Sequence, residues 1–428
     1  MIRLLFQKGF FHLLSANFLT QFLGFGTLLF IVKILTPVEV GQIKILQSYA
    51  ALFIVLAAFG SDTAILRCCA ENRPQAEKVY LLRLGLRRAG LATVVALALM
   101  VALTLSGLLT STRQLGLWLL FYSLCIPFAV STSLLTVFLQ SLKRIKEMAR
   151  VQTFVKLQSV FLIVVCTWIW HFPGFIISSV IAYMVGLFPM IHQVGLRSIS
   201  RRAWGAALEE ACSTQVFSKI ALFSVLANGI SIVSQYSDIF VLDHFSSNRA
   251  GIGYYSLATI FLLGATQITA TVQSFATPYL TEKITDEMQF RQLLAQNQIR
   301  LAALSVGVAS LVLISAWLLV PRVYGPDYAP TLGFLGVLML KYIFASSCAL
   351  VGVAILSLGL PHYSFYVYLV LMPISVILSY VLLRHLGLIG VAWAQAITAL
   401  LNLSLSPWLI RRAWREAFTR KTTAVELA

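Results

Sequence analysis

The sequence predicts an all-α integral membrane protein with about twelve transmembrane helices in two pseudo-symmetric six-helix bundles. Hydrophobic types make up 59% of its 428 residues and charged types only 11%, whereas a soluble domain has about 25% charged residues. The apolar residues also cluster in runs of about 20, the length of a helix that crosses a bilayer. Finally, the Lys and Arg residues are concentrated in alternate loops, as expected for membrane helices.

The mean hydropathy of +0.88 excludes a soluble globular protein, a disordered chain and a nucleic-acid-binding module. Twelve spans would use ~240 residues, about the number of hydrophobic residues present. The runs lack the ten-residue alternation of membrane strands. They fall near 11–34, 45–65, 88–109, 116–140, 152–171, 174–195, 217–241, 252–277, 299–320, 331–357, 362–383 and 387–410.

The first run follows Arg3 and Lys8 and so resembles a signal peptide. Because it continues to Leu35 without a convincing small-x-small cleavage site, we expect an uncleaved first span. Runs four, six and eleven each contain an internal proline, where we expect kinks that are common in membrane helices. These prolines are Pro127, Pro189 and Pro373.

The connection 196–216 lies at the middle of the chain. We interpret it as a cytoplasmic linker between an N-terminal six-helix bundle (1–195) and a C-terminal one (217–428). The polar segment 281–298 carries spaced apolar residues, which favours an amphipathic helix on the membrane surface. ValGly at 40–41 and IleGly at 252–253 lie 212 residues apart, so the two halves are predicted to be a parallel repeat.

With both termini placed in the cytoplasm, 25 of the 32 Lys and Arg residues fall in inside segments and six in outside segments. Lys341 alone lies deep within a span. This bias supports the topology and explains the net charge of +17 without a nucleic-acid partner.

Polar residues follow one face of the seventh span at spacings of 4, 3, 4 and 3. Such a stripe is costly in lipid and must face protein or water. It fits either polar contacts between helices or the wall of a water-filled cavity. A shorter stripe in span one occupies the pseudo-equivalent position, so we expect both helices to line one central cleft. The stripes are Ser224, Asn228, Ser231, Gln235 and Asp238, and Asn17, Gln21 and Gly24.

Lys341 lies ~15 Å along span ten, too deep to reach the membrane surface easily. We expect it to face the cleft, with a structural ion pair as the alternative. Lys156 and Gln267 are further cleft candidates, although Lys156 could instead extend to the cytoplasmic edge. Asp62 and Asp238 are candidates for ion coupling, with an ordinary interfacial charge as the alternative for each.

No motif for a P-loop, a zincin or a serine-hydrolase elbow occurs in the sequence. The six cysteines lack metal-ligand spacing, so no metal or cofactor is expected. The outside loops carry almost no acidic residues and no loop is long enough for a catalytic domain. These features argue against an enzyme.

Three segments carry a family resemblance. LeuThrProValGluValGly at 35–41 resembles the "LTPxxxG" loop of the polysaccharide-export family. Asp238-Ile-Phe-Val-Leu with Ile252-Gly-Tyr-Tyr-Ser-Leu-Ala resembles its "D…L…GxYxxA" pattern, and TyrGlyProAspTyr at 324–328 is similar to its "GxxY" outer loop. The chain thus resembles Wzx-type lipid-linked oligosaccharide flippases of the multidrug/oligosaccharidyl-lipid/polysaccharide (MOP) exporter superfamily over essentially its full length.

The resemblance implies a MATE-like pair of bundles around a central cationic cleft. It implies transfer of polyprenyl-pyrophosphate-linked repeat units across the bacterial inner membrane for O-antigen, lipopolysaccharide, capsule or exopolysaccharide synthesis. Membrane lipid, a polysaccharide polymerase, a chain-length regulator and proton or sodium coupling are the implied partners.

Two other classes remain open. A multidrug or small-cation antiporter of the related branch would need a buried carboxylate in its cleft. A noncatalytic membrane scaffold would need no polar stripe. Because the deepest charge is positive, an anionic substrate is favoured.

Overall fold

A computed structural model describes residues 10–71, 74–195, 211–282, 287–358, 360 and 362–426. Within these ranges the chain is almost entirely helical and contains no strand, as the run lengths predict. The α-helices are α1 Phe10–Ile34, α2 Pro37–Ala58, α3 Ser61–Ala70, α4 Gln75–Leu105, α5 Arg113–Tyr122, α6 Cys125–Ser141, α7 Ile145–Val194, α8 Ala211–Phe245, α9 Arg249–Glu282, α10 Glu287–Leu319, α11 Pro330–Ser347, α12 Ala349–Ser357, α13 His362–Leu386 and α14 Leu388–Glu426.

Ten helical segments within the described ranges are long and apolar enough to cross a membrane. One of them, Lys146–Val194, is 49 residues long and covers two predicted runs. His171 interrupts it with φ 50° and ψ −131°, two residues before Pro173, and proline cannot donate the helical hydrogen bond. The shorter apolar helix Leu23–Ile34 lies within the first predicted run. All twelve predicted runs therefore are largely helical, with breaks inside 45–65, 116–140 and 331–357 and a helix end at Leu105 inside 88–109.

Contacts divide the chain into a first unit that ends at Val233 and a second that begins at Ser234. In the first unit α1 packs on α7, α2 packs on α4 and α6, and the short α3 packs on α4 and α6. In the second unit α11 packs on α9, α10 and α14, and α13 packs on α14. The division lies inside α8. Residues 211–216 of the predicted linker are helical, 196–210 lie outside the described residues, and the predicted bundle limits stay a prediction.

The start of α2 is defined by a capping box. Thr36 is the N-cap, Pro37 occupies the first turn, and the Thr36 hydroxyl accepts the backbone N–H of Glu39. The Glu39 carboxylate in turn accepts the backbone N–H of Thr36 at 2.8 Å. Such reciprocal bonds satisfy N–H groups that a helix start leaves unpaired. The helix therefore begins well before the apolar run at 45.

The second predicted span, 45–65, is broken near its end. Phe59 and Gly60 both adopt left-handed backbone conformations, with φ 47° and 63°. The chain leaves α2 there and starts α3, so the predicted single span ends at Ala58. An ideal Cβ on Gly60 would lie 2.1 Å from the backbone oxygen of Ala221 in α8. Glycine is required by both the conformation and this contact.

The segment 281–298 is predicted as a helix on the membrane surface, but its described residues belong to α9 and α10 instead. Its residues from Glu287 onward form the first turns of α10, which continues without a break into the apolar span. Phe290 and Leu294 are buried against α12 and α14 residues, including Leu350 and Trp414. The amphipathic pattern therefore reflects packing within the second unit.

Candidate functional site

Lys341 is at the centre of a polar group in the second unit. It lies in α11, and its Nζ donates to Oε1 of Gln395 in α14 at 2.8 Å. The Gln395 amide nitrogen donates to the Ser375 hydroxyl of α13 at 3.1 Å. Gln395 and Ser375 are only 5% and 3% exposed, so the amide is held in one orientation with its oxygen towards the ammonium group. An ammonium has three N–H donors, of which Gln395 accepts one.

Asp238 is a buried acidic residue of the same unit. Its side chain is 4% exposed and accepts the Tyr255 hydroxyl of α9 at 2.5 Å and the Ile239 backbone N–H at 2.8 Å. Its charge also attracts Lys341 electrostatically. Asp238 is thus a buried, hydrogen-bonded carboxylate, and its role in ion coupling or as an interfacial charge stays a prediction.

A second polar contact lies one residue after Lys341. The Thr269 hydroxyl of α9 is 2.8 Å from the Tyr342 hydroxyl and 3.3 Å from the Ser346 hydroxyl, and all three side chains are buried. These bonds tie α9 to α11 on the face next to Lys341. The helix that carries the cation is therefore fixed by polar contacts to both α9 and α14.

The first unit contains its own polar group. The Ser224 hydroxyl of α8 donates to the Thr63 hydroxyl of α3 at 2.7 Å, and Asn228 donates to Ser224 at 3.3 Å. Asp62, beside Thr63, accepts the Thr63 backbone N–H at 2.8 Å in the first turn of α3. Part of the seventh-span stripe therefore serves as contacts between helices, the first of the two interpretations left open by the sequence.

Lys156 lies against α1. Its Nζ is 3.2 Å from the position of an ideal Cβ on Gly24, and the lysine side chain is half-buried. The two predicted candidates of α1 and α7 therefore meet. Among the residues that the structure describes, no acceptor lies within hydrogen-bond distance of this ammonium group.

The structure does not place the remaining predicted residues in the polar groups around Lys341, Ser224 and Lys156. Gln21, Ser231 and Gln235 are exposed on their helices, and Gln267 is half-buried in α9. Asn17 belongs to α1, but its side chain lies outside the described ones. Their roles stay predictions.

Sequence reasoning missed Gln395, Ser375 and Tyr255. Gln395 is an amide in an otherwise apolar stretch of the twelfth run, a signal of the same kind as the stripe of the seventh run. Tyr255 stood in the family-like pattern, but its bond to Asp238 required the pairing of α8 with α9. Among the described residues, no group of three His, Cys, Asp or Glu side chains could hold a metal ion.

The helix lengths and their apolar composition define the class of multi-pass helical membrane proteins. The family model described as "Polysaccharide biosynthesis protein" matches residues 6–283, more than half of the chain. The chain belongs to this family, which confirms the resemblance found in the sequence.

Solved structures share the fold at low sequence identity. "Lipid II flippase MurJ, inward closed conformation" is 16% identical with a TM-score of 0.74, covering 95% of this chain and 89% of that one. An inward-facing MATE family multidrug transporter of the MOP superfamily is 13% identical with a TM-score of 0.70, covering 93% and 96%. The eukaryotic MATE transporter AtDTX14 is 13% identical with a TM-score of 0.59, covering 95% and 100%. These likenesses show that the chain has a MATE-like fold. No curated protein sequence matches the chain significantly.

Proposed function

We propose that this protein is a flippase that moves polyprenyl-pyrophosphate-linked oligosaccharide repeat units from the cytoplasmic to the outer leaflet by alternating access. The observation that carries the proposal is the Lys341 ammonium, which is placed within a membrane-spanning helix and fixed by Gln395. The family match and the fold shared with the structure titled as a lipid II flippase support the same substrate class.

The chemistry of the substrate explains why such a cation is useful. A pyrophosphate and its sugars cannot cross hydrocarbon without partners for their charge and hydroxyl groups. An ammonium group forms strong charge-assisted hydrogen bonds to phosphate oxygens. Lys341 keeps two N–H donors beyond the one that Gln395 accepts. Buried hydroxyls and amides can serve the sugars, and the lipid tail can remain in the bilayer.

Asp238 has a defined part in this proposal. Without substrate, its carboxylate compensates the charge of Lys341, which lowers the cost of keeping a lysine in the membrane. A pyrophosphate carries more negative charge than one carboxylate and competes for the ammonium group.

The second candidate function is a small-cation antiporter, which the buried Asp238 carboxylate favours. Against it, the Asp238 oxygens already accept hydrogen bonds from Tyr255 and Ile239, and the Lys341 ammonium in the same unit is cationic. Both features favour an anionic substrate over a cationic one. Bacterial inner-membrane location, cytoplasmic termini, ion coupling, a polymerase and a chain-length regulator are part of the proposal and follow from the family resemblance.

The test is analysis of lipid-linked glycans in a deletion strain of the source organism, complemented with variants. We expect single lipid-linked repeat units to accumulate and surface polysaccharide to disappear. Wild type and the exposed control Lys33→Gln should restore export, and Lys341→Met should not. Lys341→Arg should restore part of it, because it keeps the charge but changes the hydrogen-bond geometry.

Two results would contradict the proposal. Normal surface glycan together with higher sensitivity to cationic drugs would support the antiporter, and Asp62 and Asp238 would become the residues to test. Full export by a normally produced Lys341→Met protein would remove Lys341 from the site.

A further inference from the structure

The second unit contains a cavity of about 210 Å³ that is separate from the Lys341 group. It lies between the first turns of α10 and the later turns of α14. Phe290 and Trp414 form its floor, and Arg291, Gln298 and Arg411 contribute its polar lining. The proposed transport path uses none of these residues.

The floor of the cavity is formed by two buried aromatic rings. The Phe290 and Trp414 rings lie 4.6 Å apart between centroids, and the side chains are only 0% and 2% exposed. The Arg291 guanidinium carbon lies 5.6 Å from the centroid of the Trp414 ring, within the range of a cation–π interaction. The aromatic floor therefore holds a cationic group at the cavity.

The charge of the lining favours an anion. Among the described lining residues two are arginines, one is an amide and none is acidic. The nearby Glu416 carboxylate accepts the Tyr363 hydroxyl at 2.6 Å and does not line the cavity. Arginine pairs with phosphate through two parallel N–H bonds.

The size and the depth of the cavity restrict the ligand. Pockets for drug-sized ligands measure about 300–1,000 Å³, so this cavity accepts a headgroup but not an oligosaccharide. Its lining residues 290–298 of α10 directly precede the apolar run 299–320, and its lining residues 410–414 of α14 lie at and just after the end of the run 387–410. Phosphates of membrane lipids occupy this level, and basic pockets between membrane helices bind such headgroups.

We propose that this cavity is a binding site for the phosphate of an anionic membrane phospholipid, held between Arg291 and Arg411. Arg412 provides a matched comparison. It is the next residue on α14 and carries the same charge, but its guanidinium lies over the Trp408 ring at 5.3 Å and it does not line the cavity.

The test uses the purified full chain in detergent, titrated with phosphatidylglycerol or phosphatidylcholine and followed by native mass spectrometry and thermal unfolding. Wild type should retain phosphatidylglycerol preferentially. Arg291→Gln/Arg411→Gln should weaken its binding at least about tenfold, because two charge-assisted hydrogen-bonding groups are lost. Arg412→Gln should change it less than about twofold. Arg411→Lys keeps the charge and should preserve the lipid preference. This variant still tests the contribution of charge if the double variant does not fold.

Several outcomes would overturn the proposal. Equal retention of both lipids, or equal losses in Arg412→Gln and the double variant, would show only general attraction at a basic surface. Displacement of the lipid by millimolar inorganic phosphate would identify a site for free phosphate. Displacement by polyprenyl phosphate at a lower concentration than phosphatidylglycerol would assign the cavity to the transported lipid.

Discussion

Gly60 provides the sharpest test of the packing between α3 and α8. Its φ of 63° is strained for any residue with a Cβ, and an added Cβ would meet the Ala221 backbone oxygen at 2.1 Å. The obstacle is backbone, so no side-chain rotation in α8 can relieve it. Gly60→Ala must therefore separate the two helices or distort the turn.

Gly107 allows the two effects to be separated. It also has a positive φ, 75°, but nothing lies within 4 Å of its ideal Cβ. Gly107→Ala should cost only the left-handed conformation, about 1–2 kcal/mol. Gly60→Ala should cost the same and, in addition, about 1–3 kcal/mol of overpacking, because the Cβ must move by about 1 Å to reach an ordinary contact.

The assay is equilibrium unfolding of the two purified variants in mixed micelles, with wild type as reference. We expect Gly60→Ala to lose about 1–3 kcal/mol more stability than Gly107→Ala. Equal losses would refute the contact between Gly60 and α8. A smaller loss for Gly60→Ala than for Gly107→Ala would also refute the left-handed turn that ends α2.

Three further substitutions test individual contacts. Tyr255→Phe should lower the free energy of unfolding by about 1–3 kcal/mol, because the buried Asp238 carboxylate loses its hydroxyl donor, and unchanged thermal stability in detergent would contradict this bond. Thr36→Ala should cost about 1 kcal/mol by removing the N-cap of α2, and Thr36→Ser is the control that should restore it. Gln395→Leu should reduce complementation of glycan export without preventing membrane insertion, because Lys341 loses the acceptor that orients it. Export equal to wild type would show that this orientation is dispensable.

The positions of the spans could be predicted because run length and charge bias determine them directly. The ends of the helices could not, since local polar contacts decide them. Thr36 and Glu39 cap α2 and extend it ahead of its apolar run. A hydropathy scale scores both residues only as polar positions and contains no information on capping. The left-handed pair Phe59 and Gly60 ends the same helix inside the predicted span.

The candidate site was predictable as faces of helices but not as pairs of side chains. Periodicity placed Asp238 on one stripe with Ser231 and Gln235, yet Asp238 is buried and the other two are exposed. Asp238 also accepts the Tyr255 hydroxyl of α9, a contact that the periodicity of one helix cannot reveal. In the same way, Lys341 and Gln395 are 54 residues apart and meet only because α11 packs on α14.

The motifs that carry the family resemblance form helix caps, turns and contacts between helices. Because their role is structural, they do not identify the substrate. Thr36, Pro37 and Glu39 of the first motif build the cap of α2. Asp238 and Tyr255 of the second connect α8 to α9. The third motif follows the same rule, since the Tyr328 ring packs edge-on at 5.8 Å from Tyr254, and Gly325 makes the turn with φ 87°. Substitutions in these motifs should therefore affect folding whatever the substrate is.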